Sequence, residues 1–331
     1  MYQGEDSLPL LLEEINPLTR LSYTPGGHSF TVTEVLLVSD NGPDGSDRVM
    51  RELADKYEYV RPIWLSRNFG QHAATLAGMA STNGEWIVTL DEDGQHDPQE
   101  ISLMLDEAMS TQSSLIYGKP TNPAPHGFLR NWASKFAKKI LAYVSGNSQA
   151  PNFQSFRLIL GSVGRSVAAY AGSGVYLDIA LGWVTNAVST SPITLREGVI
   201  RPSGYSPRRL IAHFSRMLLS SGTRGLRFVS GIGITFAIFG IAVALFILIA
   251  RLSSNTVPAG WASTIVVVLI SSGVILLSLG IVAEYVGVNV NMAMGRPPYV
   301  IMADPLTGPL GRIVASAPFG QDVDETPALN A

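Results

Sequence analysis

The stretch that decides the fold is Trp86-Ile-Val-Thr-Leu-Asp-Glu-Asp-Gly-Gln-His-Asp-Pro98, an apolar run that ends in a cluster of acids. Residues 86–90 are bulky and β-branched and predict a buried strand. Pro98 is at a favoured first-turn position and predicts a helix that runs to about residue 110. Four carboxylates fall within the seven residues 91–97, so they repel one another unless solvent or a cation neutralises them. A polar loop after a buried strand is where α/β proteins place ligands.

The same alternation of strands and helices continues on both sides of this stretch. Further strands are predicted at 35–38, 63–66 and 114–117, and helices at 46–57 and 71–81. Strands that alternate with helices predict an α/β fold with a mostly parallel sheet and helices on both faces. A second polar loop, Ser39-Asp40-Asn-Gly-Pro-Asp44, follows the strand at 35–38. The carboxyl ends of these strands are therefore the expected site.

The residues alone leave the chemistry of the two loops open. Asp93 and Gln95 offer the hard oxygen donors that Mg²⁺ or Mn²⁺ prefers, and a divalent ion there would neutralise a diphosphate. Alternatively, the acids form a solvated turn whose last member, Asp97, favours the N-terminus of the next helix. Asp40 and Asp44 are equally typical of turns that bind nothing.

Charge is distributed unevenly along the chain. Residues 1–118 carry 6 Lys/Arg against 19 Asp/Glu, whereas residues 119–227 carry 14 against 2, although the whole chain has a net charge of only −3. The basic segment ends in a stretch, 205–227, that is expected to form an amphipathic helix on an anionic membrane surface. With no cysteine in the chain, disulfides and thiolate metal sites are excluded.

Two long uncharged runs predict a transmembrane hairpin. Residues 228–250 form 23 uncharged positions, about 35 Å of helix, and a second run follows at 252–283. Two buried helices of a soluble protein are the alternative, but such helices are seldom apolar on every face. Basic residues precede the first run, so both termini are expected in the cytoplasm of a multi-pass inner-membrane protein.

Several segments resemble motifs of the polyprenyl-phosphate members of glycosyltransferase family 2, the group of dolichol-phosphate mannose synthase. They are Val38-Ser-Asp-Asn-Gly-Pro-Asp-Gly-Ser46, Arg67-Asn-Phe-Gly-Gln-His-Ala-Ala74, Asp91-Glu-Asp-Gly-Gln-His-Asp-Pro98, Leu279-Gly-Ile-Val-Ala-Glu-Tyr-Val-Gly287 and Gly295-Arg-Pro-Pro-Tyr-Val300. They occur in the family's order over most of the chain. The resemblance implies a GT-A fold followed by a membrane anchor.

The resemblance also implies roles for individual residues. Asp91 and Asp93 would be catalytic, and Asp93 and Gln95 would hold Mg²⁺ or Mn²⁺. The nucleotide-sugar donor would contact Tyr2, Asp40, Asp91 and Arg67. The acceptor phosphate would be bound by Lys119, Arg130, Ser134 and Arg201. The implied reaction is inverting transfer of a sugar from a nucleoside-diphosphate sugar to a polyprenyl phosphate.

The resemblance further implies a division of the chain. Residues 1–204 would form the cytosolic catalytic domain, 205–227 the juxtamembrane helix, 228–286 the hairpin, and 287–331 a cytosolic tail that is disordered from about residue 308. Met1-Tyr-Gln-Gly4 falls in the middle of the family's opening motif, so the first strand is predicted to be missing.

Partners and alternatives complete the expectations. The expected partners are the nucleotide sugar, the polyprenyl phosphate and the lipid bilayer; a homo-oligomer is compatible with the resemblance, and no nucleic acid is expected. Transfer to another lipid or a polysaccharide remains open, although the Q-x-x-R-W motif of processive polymerases is absent. A different alternative is a catalytically inactive membrane partner in glycan assembly or export, which a missing strand would favour.

Overall fold

A computed structural model describes residues 4–122, 152–196 and 260–307, together with 231, 233–236, 238–242, 245 and 249. The helices are α1 (Leu8–Ile15), α2 (Ser46–Lys56), α3 (Gln71–Ala80), α4 (Ile101–Thr111), α5 (Gly161–Tyr170), α6 (Leu177–Val184) and α7 (Trp261–Ala293). The strands are β1 (Ser22–Tyr23), β2 (Ser29–Phe30), β3 (Val35–Ser39), β4 (Val60–Leu65), β5 (Trp86–Thr89), β6 (Leu115–Pro120), β7 (Arg157–Leu160), β8 (Val188–Ile193) and β9 (Ile301–Met302).

The predicted elements are present, and the α/β fold is confirmed. The strands expected at 35–38, 63–66, 86–90 and 114–117 correspond to β3, β4, β5 and β6, and the expected helices to α2, α3 and α4. A short 3₁₀ turn, Pro98–Glu100, precedes α4, and the Asp97 side chain caps it by accepting a hydrogen bond from the Gln99 N–H at 2.9 Å.

Most strands in the two larger sheets run in the same direction, as expected, but β7 and β9 are antiparallel to their neighbours. Apart from the β1–β2 hairpin, the described strands form a three-stranded sheet in the order β3-β4-β9 and a four-stranded sheet in the order β5-β7-β6-β8. Only β3 with β4 and β6 with β8 are parallel there, because β7 inserts antiparallel between β5 and β6, and β9 adds antiparallel to β4. Neither β7 nor β9 follows a regular strand-helix alternation, so the pattern could not reveal them.

The inserted strand still leaves the carboxyl ends of β5 and β6 at the same edge. Thr89 of β5 and Tyr117 of β6 both pair with Arg157 of β7, from opposite sides. Because β7 is antiparallel to both neighbours, β5 and β6 run in the same direction. The loops after β5 and β6 therefore emerge together.

A cavity of about 1600 Å³ lies between the two sheets. Residues of β3 and β5 both line it, and it extends to Asp40, Asp91 and Asp93. In the part of the chain that the structure describes, no strand lies between β3 and β5. The cavity therefore includes both the predicted site loops and the space between β3 and β5.

Helix α7 is the candidate membrane span. Its Ile270–Val290 segment is 21 residues long, apolar, and not buried inside the protein; among the described residues it alone is long and apolar enough to cross a membrane. The described positions between 231 and 249 are helical, but most of the first expected span lies outside the described residues, so the two-helix hairpin is not confirmed. α7 continues to Ala293, seven residues past the expected end at 286.

The segment after α7 returns to the α/β domain. β9 pairs with the edge of β4, and the Ser66 N–H donates to the Val300 carbonyl at 3.0 Å. Tyr299 packs against core residues on both sides of α3. Arg51 of α2 forms an ion pair with Asp304, and its guanidinium lies 4.6 Å from the Trp64 ring centroid. The end of α7 is therefore tied to the domain.

Candidate active site

Asp91 lies at the carboxyl end of β5 with both carboxylate oxygens engaged. Gln71 donates from Nε2 to Oδ1 at 2.7 Å, and Ser155 donates from Oγ to Oδ2 at 2.5 Å. Gln71 is the first residue of α3, and Ser155 lies two residues before β7. The carboxylate is half-buried and faces the cavity. Its orientation is thus fixed from two different elements.

The loop after Asp91 is a tight turn around Asp93. Asp93 Oδ1 accepts from the Gln95 N–H at 3.1 Å, and Gly94 between them has φ +73°, a conformation that glycine adopts without strain. Arg196 holds the far side of the loop, since its N–H donates to the Gln95 carbonyl at 3.0 Å and its Nη2 lies 2.5 Å from Asp97 Oδ2. The turn presents its acids toward the cavity.

His96 points the other way, into the protein. It is 8% exposed, and its ring lies 5.0 Å from that of Phe156. Burial lowers the pKa of His96, and the nearby charges of Asp91 and Asp93 only partly oppose this. The neutral ring therefore packs as part of the wall behind the acidic turn.

Asp40 is buried and anchors the loop of residues 67–70. Its Oδ1 accepts from the Phe69 N–H at 2.7 Å, and its Oδ2 accepts from the Gly70 N–H at 2.8 Å. Burial raises the pKa of Asp40, while these two donors act to lower it. Gly70 directly precedes Gln71, so one short segment connects both acidic loops.

Arg67, predicted to contact the donor, is exposed at the start of this loop. Its guanidinium carbon lies 4.1 Å from the centroid of the Phe69 ring. Stacking on an aromatic face leaves the N–H groups at the rim of the guanidinium available to an anion. The structure thus places Arg67 beside the loop that Asp40 holds.

Lys119 lies in the same row of the sheet as Asp91. Gly118 N–H donates to the Phe156 carbonyl at 3.0 Å, so the β6–β7 register continues past Tyr117 and puts Lys119 opposite Ser155. The β5–β7 register puts Asp91 opposite Ser155 on the other side. Two strand spacings separate the backbones of Asp91 and Lys119 by about 10 Å. The exposed Lys119 therefore lies at the same edge of the sheet as Asp91.

Four predicted site residues lie outside the described residues. These are Tyr2, Arg130, Ser134 and Arg201, together with the expected juxtamembrane helix at 205–227 and the tail from 308. Their roles stay predictions.

Sequence reasoning missed a buried polar network behind Asp91. Arg157 donates to both Asp178 oxygens, from Nε at 2.7 Å and from Nη2 at 2.9 Å, and Tyr117 donates to Oδ1 at 2.9 Å. Burial opposes the charge of Arg157, but Asp178 outweighs it and raises the pKa of the guanidinium. Burial and Asp178 also raise the pKa of Tyr117. The signal available in the sequence was an arginine at the end of Phe153-Gln-Ser-Phe-Arg157, directly before the apolar residues 158–160.

The donor atoms partly fit a divalent ion. No described group of three His, Cys, Asp or Glu side chains converges as a metal cage. Asp91 is occupied by Gln71 and Ser155, but Asp93 Oδ2 has no donor within hydrogen-bond distance among the described residues. Mg²⁺ commonly uses one or two carboxylates and completes its shell with water and substrate phosphates. Asp93 suits that kind of site.

Comparison with known proteins supports the resemblance. Residues 9–170 match the family described as "Glycosyl transferase family 2". Undecaprenyl-phosphate 4-deoxy-4-formamido-L-arabinose transferase from Pseudomonas aeruginosa (strain LESB58) is 28% identical over 307 residues, 91% of this chain and 87% of its own. The protein of the same name from Photorhabdus laumondii is 26% identical over 305 residues, 91% of each chain.

Solved structures also show similarity. Glucosyl-3-phosphoglycerate synthase from Mycobacterium tuberculosis, in complex with Mn²⁺, uridine-diphosphate-glucose and phosphoglyceric acid, covers 68% of this chain and 76% of its own at 15% identity, with a TM-score of 0.47. The sequence matches carry the assignment. The match over residues 9–170 and these relatives confirm the resemblance to the polyprenyl-phosphate members of glycosyltransferase family 2.

Proposed function

We propose that this glycosyltransferase moves a sugar from a nucleoside-diphosphate sugar to the phosphate of a polyprenyl phosphate, with inversion, at the cytosolic face of the inner membrane. The proposed lipid acceptor rests on the relatives named above, because their names state transfer to undecaprenyl phosphate. The observation that carries the proposal is the row formed by Asp91, Ser155 and Lys119.

This row suits a reaction between two anions. An acceptor phosphate is already ionised at neutral pH, so it needs cations to approach an anionic donor more than it needs a base. Lys119 is an exposed cation at this edge, and Arg130, Ser134 and Arg201 are proposed to complete the acceptor site. Asp91 would contact the donor sugar and diphosphate.

The donor side is proposed to lie in the cavity. Asp40 would reach the nucleoside through the loop that it anchors, and Arg67 and Tyr2 would flank the nucleotide. Asp93 and Gln95 would hold Mg²⁺ or Mn²⁺, which supplies positive charge to the departing diphosphate. The base and the sugar would be selected by the same cavity.

The membrane arrangement is part of the proposal. α7 would cross the bilayer, the run at 228–250 would form a second span, and both termini would be cytoplasmic. The basic segment at 205–227 would lie on the inner leaflet, where the lipid phosphate is presented.

The test is transfer by the purified full chain in detergent. The protein is incubated with Mn²⁺, undecaprenyl phosphate and radiolabelled UDP- or GDP-sugars, and lipid-linked label is counted. Asp93→Ala is expected to abolish transfer, whereas Asp55→Ala, an exposed acid on α2, should leave it unchanged. Equal activity of both variants would contradict the assigned site.

Calorimetry separates the enzyme from an inactive membrane partner. The enzyme should bind UDP or GDP in a Mn²⁺-dependent manner, and Asp93→Ala should weaken that binding. A chain that binds neither nucleotide and labels no lipid would favour the inactive partner. If label appeared only on diacylglycerol, the acceptor would be diacylglycerol and not a polyprenyl phosphate.

A further inference from the structure

We propose that Ser155 is a positioning residue for Asp91, and that the buried Arg157–Asp178 pair holds Ser155 in place. The inference deepens the proposed function and rests on it, because it concerns the carboxylate assigned to the donor. It names three residues for which the sequence motifs provide no role.

The first step is the contact between Ser155 and Asp91. Thr89 and Arg157 are the last pair of the antiparallel β5–β7 ladder, and two positions on, the same register puts Asp91 opposite Ser155. The ladder thus ends in a side-chain hydrogen bond of 2.5 Å. A charge-assisted bond of this kind is among the stronger ones in proteins.

The second step is that Ser155 itself is held by its backbone. Its carbonyl accepts from Thr89 Oγ1 at 2.6 Å and from Arg157 Nη1 at 3.1 Å. With the carbonyl fixed by two donors, the Ser155 hydroxyl reaches Asp91 from one direction. The contacts of the Ser155 backbone therefore fix the position from which its side chain binds Asp91.

The third step is the rigidity of the support. The Arg157 and Asp178 side chains are 7% and 1% exposed, and Arg157 contacts Asp178 through two parallel hydrogen bonds. Buried ion pairs add little net stability, because desolvation offsets their attraction, but their planar two-point geometry fixes orientation. Asp178 lies in the first turn of α6, so a helix and two strands contribute to the support of Ser155.

Gln71 completes the arrangement on the opposite side. It donates to Oδ1 of Asp91 while Ser155 donates to Oδ2, so the carboxylate plane is set by two donors from α3 and from the segment before β7. Removing one donor lets the carboxylate rotate. Small misplacements of a reacting group are costly in rate.

The test is a serine series in the purified full chain. Ser155→Ala is expected to lower kcat about tenfold, the loss for one hydrogen bond to a charged group. The KM for undecaprenyl phosphate should stay within about twofold, because Lys119 is untouched. Ser155→Thr, which keeps the hydroxyl, should restore most of the rate. Thr89→Val, which removes the donor to the Ser155 carbonyl without changing side-chain size, should lower kcat by a smaller factor.

Controls separate positioning from folding. Ser166→Ala, which removes an exposed hydroxyl on α5, should match the wild type in rate and melting temperature. Ser155→Ala should melt close to the wild type, and its weaker binding of UDP with Mn²⁺ in calorimetry provides a readout besides turnover.

The outcomes distinguish the two proposals. A wild-type chain that labels undecaprenyl phosphate together with a Ser155→Ala variant of equal kcat and equal UDP affinity overturns the positioning role alone. A rate loss that Ser155→Thr does not restore also overturns it. A wild-type chain that labels no lipid but binds UDP leaves the affinity comparison as the test. One that does neither overturns both proposals.

Discussion

Arg51 and Asp304 are 253 residues apart in the chain and form a two-point ion pair, with Nε to Oδ2 at 2.9 Å and Nη2 to Oδ1 at 2.7 Å. Both side chains are about four-fifths buried, being 20% and 18% exposed. The pair joins the segment after α7 to α2 of the α/β domain.

Asp304→Asn should therefore loosen this connection. The expected loss in the free energy of unfolding is about 1–2 kcal/mol, since hydrogen bonds to charged groups contribute more than neutral ones. Thermal unfolding in detergent measures it. Glu52→Gln, which removes an exposed i,i+4 pair with Arg48, is the control and should cost at most about 0.5 kcal/mol. Equal losses would contradict a special role for Asp304.

The same pair predicts a pH dependence. The hydrogen bond from Arg51 lowers the pKa of Asp304 below its ordinary value of 3.8. A carboxyl with a lowered native pKa stabilises the fold above its unfolded pKa, and that stabilisation is lost as pH falls through the native value. The difference in melting temperature between wild type and Asp304→Asn should be constant from about pH 5 to 8 and shrink below about pH 4. A difference that grows in acid would contradict this.

Lys119 should act on the acceptor alone. Lys119→Ala is expected to raise the KM for undecaprenyl phosphate about tenfold or more, because a charge-assisted contact to phosphate is lost, while UDP affinity stays unchanged. Lys119→Arg should retain most of the function. Lys56→Ala, at the exposed end of α2, serves as the matched control. A parallel loss of UDP affinity would place Lys119 on the donor side instead.

Substitutions at two glycines distinguish a loss of stability caused by backbone strain from a loss of activity caused by a change in the site. Gly94 and Gly27 have φ of +73° and +87°, and a Cβ at either position would meet no atom within 4 Å. Alanine at each should cost about 1–2 kcal/mol of stability through the left-handed backbone alone. Gly94 lies in the Asp93 turn and Gly27 in the β1–β2 turn, so only Gly94→Ala should also lower transfer. Similar activities for the two variants would show that the conformation of the Asp93 turn does not affect catalysis.

The gap between β3 and β5 yields a prediction about an added strand. Apolar side chains of β3 and β5 line the cavity, so a strand between them would bury apolar surface. Gly4 N–H donates to Ser46 Oγ at 2.8 Å, at the start of the helix that follows β3, so a strand added before Gly4 could run along β3.

An extension of about six alternating Val and Ile residues before Met1 should raise the melting temperature by several degrees, since it buries apolar surface and pairs backbone groups. It should also strengthen UDP binding, because the cavity extends to Asp40 and Asp91. An extension of six Gly and Ser residues is the control. Identical effects of both extensions would contradict a strand site between β3 and β5.

Much of the fold could be predicted because strands and helices alternate with clear periods. β3 to β6 and α2 to α4 follow from local patterns, and so do the acidic loops at their ends. β7 could not be predicted, because its place between β5 and β6 depends on pairing between segments about 40 and 70 residues apart. The sequence pattern therefore predicted the parallel strands but not the two antiparallel ones.

The candidate site also contains residues that local sequence patterns predict and residues that only long-range strand pairing brings together. Asp91, Asp93 and Asp40 were identified from the loops that carry them. Ser155 was not, because its role exists only where the β5–β7 register ends, and no local motif encodes a register. The assignment of Asp40 to the nucleoside stays a prediction, since its described partners are backbone N–H groups of the neighbouring loop.

The attachment of β9 to β4 has a mechanical consequence when α7 spans the bilayer. Only seven residues separate Ala293, where the helix ends, from Ile301, where the chain joins the sheet. Even fully extended, that link spans less than about 30 Å. In that arrangement the α/β domain would stay within about 30 Å of the lipid surface, and a lipid acceptor would have to be reached close to the headgroups.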